Sequence, residues 1–323
     1  MKIVAELHGY PPFHNSGAEW MVHHVFRYLV QNGIEVCVLL DFNSYLGKVS
    51  GEYENEGVKV VSDKDWRKHY FEADFVVTHL DKTGKAYNRA REFKKPLIHF
   101  IHNHYKNVVI EQMNAVDQYA IYNTKWVQDE CKPKQKQVKK SIVVHPPVFI
   151  DDYKVNRIND YATLINVNKN KGGELLIALA KKIPEQKFMG VKGSYGHQIF
   201  DHKVKNIHYL ENTPNIKDVY KRTKILLMPS SYESYGRTAI EAGASGIPVV
   251  CTPTIGLREA LGDAGIYCDR NNLKEWVDAI AKLRNEKNYK RASSKIKKHV
   301  QKLKPVEDLK RLLNFIKYEI YSK

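Results

Sequence analysis

The sequence predicts an α/β protein of two doubly wound domains, each a mainly parallel sheet covered by helices. Three observations carry this. The chain of 323 residues exceeds one ordinary domain and suits two of roughly 150. The first forty residues read strand, loop, helix, strand, and the same order restarts at Tyr161. Between Met228 and Cys251 an apolar run stopped by Pro229 passes through a short loop into a helix and then another buried strand, the unit from which a parallel sheet is built.

In order, residues 2–7 (KIVAEL) form a buried strand. The loop His8 to Ala18, rich in proline, glycine and asparagine, precedes a helix from about Glu19 to Asn32, where Met21, Val22, Val25, Phe26 and Leu29 recur at helical spacing and Asn32-Gly33 makes the stop. Ile34 to Leu40 is the next strand. Gly17 stands where the helix begins, and a small residue there lets a ligand approach the backbone. No G-x-G-x-x-G follows the first strand, which argues against a dinucleotide-dependent oxidoreductase. Asp63-x-Asp65 has a cation-binding pattern, but with Trp66-Arg67-Lys68 behind it the pair reads as a helix start.

Strands follow at Asp74 to Thr78 and Pro96 to Ile101. His79, His99, His102 and His104 crowd this stretch, yet no acid or cysteine accompanies them at ligand spacing, so no metal is expected. Gln118 to Thr124 is another short strand. Lys132 to Lys140 holds five lysines and no acid in nine residues, a solvated or polyanion-facing segment. Ile142 to Val148 closes a first domain of residues 1–150, and the hinge falls near 149–160, where Asp151, Asp152 and Asn156 break all periodicity.

The second domain, 151–304, opens with a strand at Tyr161 to Val167. Asn168-Lys169-Asn170-Lys171-Gly172-Gly173 then leads into a helix through about Lys182, a basic glycine turn against a helix N-terminus and thus a phosphate-binding geometry. Lys187 to Val191, Ile207 to Leu210 and Ile225 to Met228 are strands, with a loop at Lys192 to Gly196 and a helix from Ile216 to Arg222. The helix that starts at Gly236 carries bare amides and a positive dipole end at Tyr235, Gly236 and Arg237. Glu233 in the loop and Glu241 in the helix stand with seven residues between them. Further on, Pro253 to Glu259 opens a helix and Ala264 to Asp269 is a short strand. The last sixty residues are helical, broken by Pro305, so that 305–323 is a terminal helix.

The run Pro-Ser-x-x-Glu-Ser-Tyr-Gly-x(4)-Glu-Ala-x-Ala-x-Gly-x-Pro-Val-Val, from Pro229 to Val250, resembles the E-x7-E region of family 4 glycosyltransferases. The resemblance is tight from 161 to 270 and looser before. It implies the GT-B fold, two Rossmann-like domains facing a central cleft, with the terminal helix crossing back to the first. It implies a retaining, metal-independent enzyme that needs no cofactor beyond a nucleoside-diphosphate sugar, such as UDP-glucose or GDP-mannose. By the same resemblance Glu233 holds the donor sugar hydroxyls, Glu241 holds the ribose, and Gly17 lies close to the diphosphate. Lys171 and Gly172, with Ser234, Tyr235, Gly236 and Arg237, grip the donor phosphates. Leu97 to Asn103 is similar to the family strand that ends in a His-Asp or His-Thr pair, which makes His102 the matching residue and implies a hydrogen-bond donor to the sugar or phosphate. His102, Lys171 and Glu233 are therefore the catalytic candidates. At Asn166 the family pattern has an arginine; either Lys169 or Arg237 supplies that charge, or the phosphate site is weaker than usual.

Composition adds the partner class. Lys plus Arg number 52 against 36 acids, a net charge of +16, and so large an excess attracts a polyanion, either nucleic acid or an anionic membrane surface. Aromatics at Trp66, Tyr70, Trp126 and Tyr289 interleave with the charge and suggest stacking on bases. Cys37, Cys131, Cys251 and Cys268 have neither disulfide nor zinc spacing. No apolar run reaches the length of about 18 residues that spans a bilayer, and His8-Gly9-Tyr10-Pro11-Pro12 interrupts any signal-peptide core. The expectation is a cytoplasmic protein, peripheral at the inner membrane face if its acceptor is lipid-linked. A non-catalytic nucleic-acid or membrane binder on this scaffold and a sugar-nucleotide epimerase are the competing classes.

Overall fold

The computed structural model describes residues 1–44, 49–105, 114–156, 158 and 160–321. The chain divides into two compact units, Met1–Pro147 with Pro305–Lys323, and Val148–Lys304.

Unit 1 runs β1 (Lys2–Glu6), α1 (Gly17–Gln31), β2 (Glu35–Leu40), β3 (Tyr53–Asn55), β4 (Val58–Ser62), α2 (Trp66–Glu72), β5 (Phe75–His79), α3 (Thr83–Glu92), β6 (Leu97–Ile101), β7 (Gln118–Tyr122), α4 (Lys125–Cys131) and β8 (Val138–Val143). Its sheet has the order β3-β4-β2-β1-β5-β6-β7-β8. Every pairing is parallel except β3 with β4. The central strands are apolar almost throughout because helices cover both faces of a parallel sheet, so alternate residues have no solvent to face.

The β3–β4 hairpin was not expected. Its turn is Glu56-Gly57, with both residues at positive φ (50° and 85°), the backbone of a tight two-residue turn that usually advertises itself as Asn-Gly. The lysine run also differs from expectation: Lys139 and Lys140 lie in β8 itself, the edge strand, rather than before a strand at Ile142. Lysines on an edge strand discourage pairing with another chain, and here Lys139 pairs with Asp117 and Lys140 with Glu319. The aromatics read as a stacking surface are mostly interior. Trp66 packs on Tyr70 and Phe93, and Tyr70 and Tyr289 are buried. Asp63 begins a helical turn capped by Ser62 and pairs with Lys85 and Arg89.

Unit 2 runs α5 (Ile150–Tyr153), β9 (Tyr161–Ile165), α6 (Gly173–Lys182), β10 (Phe188–Val191), β11 (Ile207–Leu210), α7 (Ile216–Arg222), β12 (Thr223–Met228), α8 (Arg237–Ala244), β13 (Val249–Cys251), α9 (Ile255–Leu261), β14 (Ile266–Tyr267), α10 (Leu273–Arg284) and α11 (Glu286–Lys302). The sheet, β11-β10-β9-β12-β13-β14, is wholly parallel and has the Rossmann strand order, reversing direction between β9 and β12. Two buried clusters flank it, one built on α8 and α11 and one on α6 and α10.

The chain ends with α12 (Pro305–Asn314), which belongs to unit 1. Asp308 accepts hydrogen bonds from the His145 backbone at 3.1 Å and lies 2.9 Å from its ring Nδ1, while Arg311 donates to the Val143 carbonyl. All four cysteines are buried, and no disulfide joins them. Among the described residues no helix is long and apolar enough to cross a membrane.

Candidate active site

Open α/β sheets bind ligands at the carboxyl ends of the strands flanking the point where strand order reverses. In unit 2 these are β9 and β12, and their following loops are stitched together. Ser231 N donates to the Asn170 carbonyl at 2.8 Å. Arg270, from the turn after β14, donates through Nε to the Pro229 carbonyl at 2.8 Å and through Nη2 to the Lys169 carbonyl at 2.6 Å. Nothing local in the sequence marks Arg270 for this role.

At this junction Lys171 Nζ lies 2.5 Å from Glu233 Oε1, which also accepts from Ser230 Oγ at 2.7 Å. Both side chains are largely buried. Gly172 is required twice over: its φ is +96°, and a Cβ would meet Pro229 Cγ at 2.5 Å. Gly236 is similar, with φ +93° and Leu257 where a Cβ would go. A Cβ on Gly256 would run into the backbone of Glu233 and Ser234, so α9 begins flush against the glutamate loop.

Three predicted donor residues have side chains built into the interior of unit 2. Tyr235 is a core side chain, packed in the α8 cluster, so only its amide faces the loop chemistry. Arg237 is 7% exposed; its Nε donates to Glu241 Oε1 at 2.6 Å and its Nη2 to the Tyr153 hydroxyl. Facing inward along the first turn of α8, it is committed to that carboxylate and cannot stand in for the arginine expected at Asn166. Glu241 accepts in turn from the Tyr220 hydroxyl at 2.7 Å. Each carboxylate oxygen keeps a second lone pair.

Asn166 sits at φ +68°, in the left-handed region that Asn tolerates better than a long side chain. Its Oδ1 accepts from Gln198 Nε2 at 3.1 Å and from Asn168 N at 3.3 Å. Gly193 packs so closely on the Asn166 amide that a Cβ would lie 2.2 Å from it. The residue therefore ties the loop after β10 to the loop after β9, a task that needs a short amide.

Unit 1 has its own reversal, between β1 and β5. His102 follows β6, is 7% exposed, and places Nε2 at 3.2 Å from His79 Nδ1. Burial pushes its pKa down to about 4, so its ring is neutral at neutral pH. His99 accompanies Gln118 inside the sheet, also pushed down to about 4 by burial. Gly17 opens α1 with nothing within 4 Å of the place a Cβ would occupy.

The acid missing from the sequence argument about metals arrives through the fold. Glu19, in the first turn of α1, is 1% exposed and has His8, His14 and His79 around it; the ligand atoms of His8, Glu19 and His79 lie within 4.8 Å of one another. Burial opposes its ionisation, but the bond from His8 and the neighbouring imidazoles hold it far below its ordinary pKa. Burial also works against charge on His8, but Asp81 and Glu19 raise it to about 9. Ser16-x-x-Glu19 has the spacing of a capping box, but Ser16 makes no side-chain cap and its Oγ donates to the Glu19 carboxylate instead.

Residues 159–300 match the family model "Glycosyl transferases group 1". A D-inositol 3-phosphate glycosyltransferase of Corynebacterium jeikeium is 43% identical over 67 residues, which are 20% of this chain and 16% of that protein's length. Among solved structures, Anabaena HepE in complex with UDP and glucose superposes with a TM-score of 0.77 at 14% identity, covering 98% of this chain and 99% of that one. The fold is GT-B. An alpha-glucosyltransferase in complex with UDP and a 13-mer DNA containing a HMU base gives a TM-score of 0.71 at 12% identity, covering 98% and 99%. At such identities the structural likeness speaks for the fold alone, and the curated relative shares only a sixth of its length with this chain.

Proposed function

We propose that the chain is a retaining glycosyltransferase that moves a hexose from a nucleoside-diphosphate sugar to an acceptor hydroxyl on a polyanionic partner. The observation that carries this is the Lys171–Glu233 pair, held at the strand-order reversal of unit 2 inside the segment that matches the group 1 family. As the glycosidic bond stretches, charge collects on the departing diphosphate, and preorganised cations and amides lower the barrier most. Lys171 supplies the cation. The amides at Tyr235, Gly236 and Arg237 supply a helix N-terminus, and Gly172 leaves the phosphates room. Glu233 accepts from the sugar hydroxyls and Glu241, through its remaining lone pairs, from the ribose. Ser234 lies in the same loop.

In unit 1, His102 and Gly17 occupy the carboxyl side of the sheet, where ligands bind in such folds. A neutral His102 donates a hydrogen bond rather than a proton. With no side chain assigned as nucleophile, the acceptor attacks from the face the donor phosphate leaves. The net charge of +16 supports an acceptor on nucleic acid or at an anionic membrane surface. The DNA-bound alpha-glucosyltransferase of like fold makes duplex DNA with modified bases the first acceptor to assay.

The test measures nucleoside-diphosphate release and labelled-sugar transfer, from several sugar nucleotides, to DNA and to lipid-linked glycan in vesicles. Lys171→Met is expected to lower turnover by about 10²–10³-fold. An unaltered turnover in Lys171→Met sinks the site assignment. No release from any donor, together with tight binding to DNA or vesicles, favours a non-catalytic binder instead.

A further inference from the structure

We propose that His8, Glu19 and His79 bind a borderline divalent cation such as Zn2+, with His14 placed for the fourth position. The Nε2 atoms of His8, His14 and His79 stand 2.8, 3.8 and 4.0 Å from one atom, Glu19 Oε1. A tetrahedral zinc with bonds near 2.0–2.1 Å holds its ligand atoms roughly 3.3 Å apart. Each of the three separations differs from that by less than about 1 Å, within reach of small χ adjustments.

A second observation points the same way. His79 is fully buried and its Nε2, facing the cluster, has no hydrogen-bond partner among the described residues. Buried polar atoms are nearly always satisfied, and an orphan aimed at a carboxylate beyond bonding distance is the arrangement that a cation between them completes. The outward atoms of two of the three ligands are also hydrogen-bonded, and the third, His8 Nδ1, has a carboxylate beside it without hydrogen-bond geometry. His79 Nδ1 meets His102 Nε2 at 3.2 Å, His8 Nδ1 lies 2.9 Å from Asp81 Oδ1, and Ser16 Oγ donates to Glu19 Oε2. Metal-ligating histidines characteristically have their other nitrogen held in this way, which fixes ring and tautomer.

The position suits a rigid site. His8 follows β1 and His79 ends β5, two strands paired through Glu6 and Thr78, and Glu19 descends from α1. Imidazole nitrogens with one carboxylate favour zinc and its first-row neighbours over magnesium or calcium, which take all-oxygen shells. A cation on His79 Nε2 leaves the proton on Nδ1, so His102 Nε2 accepts and His102 Nδ1 becomes the donor. That last consequence, unlike the site itself, rests on the role proposed above for His102.

The experiment strips the full-length chain with a chelator and titrates it with Co2+ and then Zn2+, reading bound metal by elemental analysis and the visible absorption of tetrahedral cobalt. One equivalent is expected, displaced by Zn2+, with affinity reduced more than about 100-fold in His79→Ala and in Glu19→Gln and unchanged in His202→Ala. Absence of stoichiometric binding to the wild-type chain overturns the proposal, as does a cobalt spectrum that survives in folded His79→Ala. If circular dichroism finds both site variants unfolded, the wild-type titration decides alone. Because the readout is bound metal, its outcome is separate from that of the sugar-transfer assay.

Discussion

Glu241 is expected to have two jobs, and one set of variants separates them. Inside unit 2 the pair Arg237–Glu241 is closed, with side chains 7% and 8% exposed, and Tyr153 and Tyr220 complete the group. Removing the carboxylate alone, in Glu241→Gln, leaves a buried guanidinium that has lost its counter-charge. Breaking a buried pair in this way costs about 3–5 kcal/mol. For a unit of this size, that lowers Tm by roughly 6–20 °C. The double change Arg237→Met with Glu241→Gln removes both charges and keeps an acceptor for Tyr220, so its loss falls to about 1–2 kcal/mol. Donor binding follows the other logic. If Glu241 grips the ribose, single and double variants alike lose about 10–100-fold in donor affinity, the worth of a charge-assisted hydrogen bond. Thermal unfolding and donor titration at a temperature where all variants are folded supply both readouts. A double variant no more stable than the single one refutes the pair as the source of the instability. A stable double variant with wild-type donor affinity refutes the ribose role.

Gly172→Ala must place a Cβ 2.5 Å from Pro229 Cγ at φ +96°, and strain plus overpacking are expected to cost about 2–5 kcal/mol in urea unfolding. Gly17→Ala, which meets nothing, is expected within about 0.5 kcal/mol of wild type; equal losses at the two glycines would contradict this. Asp308 is opposed by burial but held below its ordinary pKa by His145 and Arg311. A depressed carboxylate stabilises the fold above its unfolded pKa and loses that contribution as pH falls through the lower folded value. Asp308→Asn should therefore cost about 1–2 kcal/mol at neutral pH and progressively less as pH falls through the depressed folded value, seen as a flatter acid limb in stability against pH. An unchanged limb would mean that α12 is held by its apolar face alone.

What could be read from the sequence was whatever is written within a single strand, loop and helix. Lys171, Gly172, Glu233 and Gly236 belong to that class, because a turn glycine, a helix start and a loop charge are local signals. The structure puts the lysine and the glutamate loops side by side at the one place a doubly wound sheet leaves open. Side-chain commitments were not local. Arg237 looked like a cation at a helix N-terminus, and only the fold shows Tyr153, 84 residues earlier in the chain, receiving it. The same holds for the histidines: His8, Glu19 and His79 are unremarkable at their separations along the chain, and parallel pairing of β1 with β5 makes them neighbours.

Asn166 joins the two cases. As a departure from the family pattern it reads as a lost charge. In the structure it is a backbone decision, since φ +68° and the bonds to Gln198 and Asn168 suit a short amide and not a guanidinium. Holding the loop after β10 in place of carrying charge puts the electrostatic burden of the proposed reaction on Lys171, the exposed Lys169 and the α8 amides, because Arg237 is already committed to Glu241. Turnover in the reaction proposed above should therefore depend steeply on Lys171.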